Sequence, residues 1–167
     1  LPLKYYNIDA AILFSDILLL PYFLGQEVTF KRELGPVLKE IRIDENFLKK
    51  DINFNEFKSI GNAIFRIKKN LSPLKDLIGF CGAPWTLACY MIEGGSSKDY
   101  AKTRTFLWNN EEIFNKLINK LTKNCADFLE LQYSAGCTVL MIFDTWSSMI
   151  PDRYWVKFGI DPIKSIV

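Results

Sequence analysis

Three short apolar runs constrain this chain more than any other feature: residues 10–15 (Ala-Ala-Ile-Leu-Phe-Ser), 77–81 (Leu-Ile-Gly-Phe-Cys) and 138–143 (Thr-Val-Leu-Met-Ile-Phe). None shows the polar alternation of a strand with one wet face, so each reads as a strand buried on both faces. The connections between them are far too long for hairpins and carry helical patterns. Residues 55–69 place Phe57, Ile60, Ile64 and Ile67 at helical spacing. Residues 111–135 set Ile113, Leu117, Leu121, Phe128 and Leu131 along one face, with Gly136 where a C-terminal cap belongs. Strands separated by helix-bearing crossovers pair in parallel. Doubly wound sheets and (β/α)8 TIM barrels both meet that condition. The sequence has no Gly-x-Gly-x-x-Gly or Walker-type loop. Asp16, Gly82 and Asp144-Thr145 instead follow the three runs directly, and the C-terminal strand ends are where a TIM barrel builds its active site. Pro84 suits the first turn of a helix that ends at Gly94-Gly95, and a further helix is expected over residues 152–158 with Asp152 as its N-cap.

Composition narrows the function classes. The chain has 167 residues, 49% of them hydrophobic, which suits one well-packed domain spanning residues 1–167. A net charge of +2 argues against non-specific nucleic-acid binding, and the cluster Arg66-Ile67-Lys68-Lys69 reads as a solvated helix end. The four cysteines, Cys81, Cys89, Cys125 and Cys137, form no C-x-x-C pair and imply reduced thiols in a cytoplasmic protein. With no histidine, these residues alone cannot make a Ser-His-Asp triad or a His-based zinc site. The apolar stretch 10–24 is interrupted by Asp16 and Pro21 and is too short for a membrane span. The first residues do not have the pattern of a signal peptide, and the lack of an initiator Met leads us to expect residues upstream.

Three polar positions could carry chemistry. Asp16 follows an apolar run and precedes four apolar residues. It is either a turn residue at a strand exit or a carboxylate whose apolar setting calls for hydrogen-bond donors, which a ligand rich in N–H groups could supply. Gly79-Phe80-Cys81-Gly82-Ala83-Pro84-Trp85-Thr86 is a strand, a tight turn and a helix start; the later Gly94-Gly95 pair is weak evidence for a phosphate site. Asp144-Thr145-Trp146 closes the third run, where Thr145 either bonds local backbone or faces a ligand and Trp146 fits a core position.

Taken together, three blocks resemble the uroporphyrinogen decarboxylase family: residues 9–18, residues 77–98 (Leu-Ile-Gly-Phe-Cys-Gly-Ala-Pro-Trp-Thr-Leu-Ala-Cys-Tyr-Met-Ile-Glu-Gly-Gly-Ser-Ser-Lys) and residues 141–146 (Met-Ile-Phe-Asp-Thr-Trp). They stand in family order and at family spacing. The resemblance implies an α/β fold that is part of a TIM (β/α)8 barrel. It also implies a carboxy-lyase that converts the four acetate arms of uroporphyrinogen III to methyl groups, giving coproporphyrinogen III in heme biosynthesis, with no metal or organic cofactor. Asp16 matches the family's catalytic aspartate, which binds the pyrrole N–H groups. Tyr90 and Thr145 match substrate-binding positions, and Phe80 and Phe143 match apolar residues lining the cleft. A protonated pyrrole ring serves as the electron sink, and a carboxylate beneath the ring nitrogens stabilises its charge.

The family's arginine-bearing N-terminal segment and late histidine are absent from these residues, and Ser147-Ser148 stands where the family has a small Gly/Ala-Gly pair. The expectation is therefore the central part of a barrel, inactive by itself, and a homodimer when complete, with no nucleic-acid or membrane partner. The rival implied by the same superfamily is a corrinoid-linked methyltransferase, which would use a His and Cys zinc site late in the chain.

Overall fold

The computed structural model describes residues 2–13, 15–33 and 35–167. Its helices are α1 (Pro2–Tyr5), α2 (Leu19–Phe23), α3 (Glu45–Leu48), α4 (Lys58–Asn70), α5 (Pro84–Glu93), α6 (Ala101–Asn109), α7 (Glu111–Ala135) and α8 (Asp161–Ile166). Its strands are β1 (Ala10–Ile12), β2 (Val28–Lys31), β3 (Gly35–Leu38), β4 (Asp76–Gly82) and β5 (Val139–Phe143). The three apolar runs are β1, β4 and β5, and they form one sheet in the order β1-β4-β5. Both pairings are parallel, with Ala11 beside Leu77 and Phe80 beside Met141. The expected strand over residues 10–15 takes in Phe14, which lies outside the described residues; within them β1 ends at Ile12, and Leu13 N–H still donates to the Ile78 carbonyl at 3.1 Å.

Among the described residues these three strands follow one another across the sheet in chain order. The parallel strands with helices between them have the arrangement of part of a (β/α)8 barrel. The outer layer is dominated by α7, whose 25 residues run about 38 Å. Its apolar stripe, including Phe114, Leu117, Leu121, Cys125 and Phe128, is buried against α5 and β4. Gly136 ends it at φ 122, where its N–H donates to the Tyr133 carbonyl. A second, smaller core of Ile64, Leu77 and Cys137 closes the gap between α4 and the sheet.

Four expectations need correction. The runs at β1 and β5 are not buried on both faces: Ile12 is half exposed, and Val139, Leu140 and Met141 keep 38–39% of their surface. Each of these strands has β4 on one side only among the described residues. The helix expected over residues 55–69 starts as a 3-10 turn, Phe54–Phe57, capped by the Asn53 side chain, and becomes α-helical only at Lys58. The helix expected over residues 152–158 is a 3-10 turn, Asp152–Tyr154, that widens into a π-helical segment, Trp155–Ile160. Asp152 is not its N-cap: Pro151 holds that position with extended backbone, and its carbonyl accepts from the Tyr154 N–H at 2.7 Å.

The antiparallel hairpin β2-β3 was not expected, and it matters most for the site. Its register pairs Val28 with Leu38 and Phe30 with Pro36. It is pinned to the end of α5: Leu38 N–H donates to the Gly94 carbonyl at 2.9 Å, and Val37 bridges Gly95. A Cβ on Gly95 would lie 3.0 Å from the Pro36 carbonyl oxygen, at a φ of +156 that side chains rarely adopt. The glycine pair is thus a docking step for the hairpin as well as the cap of α5, where Gly94 is left-handed.

Candidate active site

The C-terminal ends of β1, β4 and β5 open on one cavity of about 360 Å³, lined in part by Asp16, Phe80, Tyr90 and Phe143. A volume in this range suits a small-molecule site. Asp16 comes just after β1, and its Oδ1 accepts from the Leu18 N–H at 2.7 Å, a turn bond that fixes the carboxylate at the strand exit. Phe80 and Phe143 project from adjacent strands and meet edge to face, with ring centroids 5.2 Å apart.

Phe80 is held by a residue that pattern reading overlooked. Gln132 of α7 brackets its backbone: its Oε1 accepts from Phe80 N–H, and its Nε2 donates to the Phe80 carbonyl, both at 2.9 Å. Gln132 lies over Gly79, where a Cβ would come within 2.7 Å of its Oε1. A buried glutamine on an apolar helix face and a glycine inside a strand are the two sequence signals of this contact.

Tyr90 reaches the cavity from α5. Its ring lies edge to face against Trp146 at 6.1 Å, and Trp146 rests on Tyr100 at 4.9 Å. The Pro84-Trp85-Thr86 turn grips the segment that carries Trp146. Trp85 Nε1 donates to the Trp146 carbonyl at 2.9 Å, and Thr86 Oγ1 accepts from Trp146 N–H at 3.1 Å while donating to Asp144 Oδ1 at 2.7 Å. Burial pushes the Asp144 carboxyl above its ordinary range, opposed by the hydrogen bonds from Thr86. Burial also pushes Tyr100 up to about 12 and raises Cys89, the latter with help from Asp144 and Glu93. Neither is poised as a nucleophile or base.

The spacing of two motifs far apart in sequence thus has a mechanical reason: one clamps the other. The family model described as Uroporphyrinogen decarboxylase (URO-D) matches residues 1–167. The uroporphyrinogen decarboxylase of Rickettsia rickettsii (strain Sheila Smith) is 41% identical over 167 residues, and that of Rickettsia conorii (strain ATCC VR-613 / Malish 7) is 40% identical. This chain belongs to the uroporphyrinogen decarboxylase family.

The match covers 99% of this chain and 48% of each of those relatives, so the chain spans about half the length of the curated relatives it matches. Among solved structures, a methyltransferase from Methanosarcina mazei superposes with a TM-score of 0.74 at 13% identity, covering 99% of this chain and 50% of that one. That likeness establishes the fold and nothing more.

Of the family-matched positions, Asp16, Phe80, Tyr90 and Phe143 share the cavity. Thr145 follows Asp144 at the same end of the sheet, but it is exposed and is not part of that cavity's wall. Ser147, at the departure from the family's small pair, donates through Oγ to the Asp144 carbonyl at 3.0 Å and opens a 3-10 turn. Among the described residues no cluster of three or more His, Cys, Asp or Glu side chains could hold a metal, and no helix is long and apolar enough to cross a membrane.

Proposed function

We propose that this chain carries the Asp16 side of a uroporphyrinogen decarboxylase active site, which removes the four acetate carboxyls of uroporphyrinogen III as CO₂. The observation that carries the reading is the convergence of Asp16, Phe80, Tyr90 and Phe143 on one cavity at the C-terminal strand ends, in a chain of this family. In each cycle a proton adds to the pyrrole carbon beside the one bearing the arm. Protonating the arm-bearing carbon itself would cut the arm off from conjugation. The cationic ring then draws the electron pair of the breaking C–CO₂ bond into an exocyclic double bond. A proton added to the exocyclic carbon makes the methyl group, and loss of the ring proton restores the pyrrole. One proton is consumed and one CO₂ released per arm.

The Asp16 carboxylate accepts the pyrrole N–H groups and stabilises the cationic ring by a preorganised charge. Tyr90 orients the macrocycle from the cavity wall, Thr145, exposed at the same strand ends outside that wall, meets one of its arms, and the Phe80–Phe143 pair covers its apolar face. On this reading residues 1–167 form one domain contributing three strands of the barrel, and turnover needs the segments that hold the carboxylate arms. The same reading makes the complete enzyme a cytoplasmic homodimer. The protonated pyrrole is its own electron sink, so no cofactor takes part. The protein expressed from its complete gene is expected to convert uroporphyrinogen III to coproporphyrinogen III after exhaustive chelation. Activity lost to the chelator and restored by zinc would overturn the reading in favour of the methyltransferase-like chemistry of the superfamily.

A further inference from the structure

Phe30 sits on the hairpin at a place where its exposure is hard to reconcile with a packing role. It keeps 64% of its surface, yet the strand that bears it is firmly anchored. Buried Gln26, just before β2, donates through Nε2 to the Lys39 carbonyl at 2.9 Å and to the Met91 carbonyl at 3.0 Å, tying both ends of the hairpin to α5. The Gly94 and Gly95 contacts pin β3 to the same place. Side chains alternate along β2: Thr29 turns its hydroxyl to the Val37 carbonyl, while Val28 and Phe30 face the Asp16 side.

Phe30 forms part of the wall of two cavities. One is the 360 Å³ cavity with Phe80, Tyr90 and Phe143, where its cross-strand partner Pro36 stands beside it; the other, of about 230 Å³, is lined with Leu19, Tyr22 and Val28. Asp16 and Leu18 are shared by both. An aromatic ring on a fixed strand therefore borders Asp16 on the hairpin side, as Phe80 and Phe143 border it on the sheet side.

We propose that Phe30 is a substrate-positioning residue that covers the apolar face of a tetrapyrrole macrocycle centred on Asp16, so that the ring is held between the hairpin and the sheet. The proposal rests on the functional reading above. A macrocycle whose N–H groups converge on one carboxylate necessarily presents its pyrrole faces to the walls around that carboxylate. An aromatic wall meets them with both apolar contact and edge-to-face geometry. Exposure of Phe30 in the free chain is what a wall that becomes covered only by its ligand requires.

The test uses the protein expressed from its complete gene, with KM and kcat for uroporphyrinogen III measured alongside thermal unfolding and the binding of uroporphyrin I, the stable oxidised ring, followed by its fluorescence anisotropy. Phe30→Ala is expected to raise KM and the uroporphyrin Kd about tenfold, with kcat within about twofold and the melting temperature unchanged. Phe30→Leu, which keeps an apolar wall, is expected to recover most of the loss. Wild-type KM and Kd in Phe30→Ala would overturn the proposal while leaving the decarboxylase reading intact. So would a loss that tracks a fall in melting temperature and is not recovered by Phe30→Leu. A wild-type protein that neither turns over uroporphyrinogen III nor binds the ring would overturn the functional reading, and this proposal with it.

Discussion

Strands β4 and β5 run side by side in parallel and are built from almost the same kinds of residue, yet they end in opposite environments. In β4, Leu77 and the residues from Gly79 to Gly82 are buried. In β5 the first three residues keep more than a third of their surface, and a groove of about 460 Å³ opens beside Leu140 and Ile142 at the C-terminal half of α7. The difference comes from neighbours rather than from the strands themselves. β4 has a paired strand on each side, α7 across one face, and Gln132 bonded to the backbone of Phe80. An apolar run therefore identifies a strand built to be covered, but the cover itself is contributed by other segments.

The largest effect that would test this contrast is a pair of truncations in the two strands. Leu77→Ala empties a site that is fully buried among Ile64 and Cys137, and it should cost about 2–5 kcal/mol in urea unfolding. Leu140→Ala removes a side chain already in partial contact with solvent and should cost about 0.5–1 kcal/mol. Equal losses would break the contrast and mean that β5 is covered in the working protein.

A smaller effect lies at the far ends of the same strands. Asp144 follows β5 with a carboxyl raised above its ordinary 3.8 by burial. A group whose folded value is raised in this way favours folding in its protonated form. Its contribution is present below 3.8 and is lost as pH rises through the folded value. Asp144→Asn keeps an oxygen for the Thr86 hydroxyl and removes the charge. The variant should melt above the wild type at pH 7, with the gap closing as pH falls toward 4. A variant that melts lower at pH 7 would mean that the Thr86 bond to the ionised carboxylate outweighs burial.

The same contrast shows why parts of the molecule could be read from sequence and parts could not. All three parallel strands were legible because their apolar runs are uninterrupted, and α7 was legible because its stripe keeps helical spacing over its whole length. The hairpin was not. Pro36 lies within β3, where proline lowers any strand reading, and no Asn-Gly or Asp-Gly turn announces the connection. The Asp16, Phe80, Tyr90 and Phe143 positions came from resemblance; their local chemistry alone left Asp16 open between a turn residue and a ligand-binding carboxylate, and its bond to Leu18 N–H shows the turn role is real. The Thr86–Asp144 clamp and the Gln132 bridge join residues far apart in the chain, and no local pattern reports a partner at that separation. Thr145 shows the reverse case: its family position was clear, but its side chain stands outside the cavity wall.

On the proposed reading, the Asp16 charge drives decarboxylation in the cavity walled by Phe80, Tyr90 and Phe143, and this role decides the rest. It is tested most directly by measuring coproporphyrinogen III formation by Asp16→Asn in the protein expressed from its complete gene, beside its melting temperature. Loss of one preorganised electrostatic group should lower the rate on the order of 10²–10³-fold, with melting within a degree or so of wild type because the side chain is nearly isosteric. Coproporphyrinogen formation near the wild-type rate in a folded Asp16→Asn protein would contradict the account.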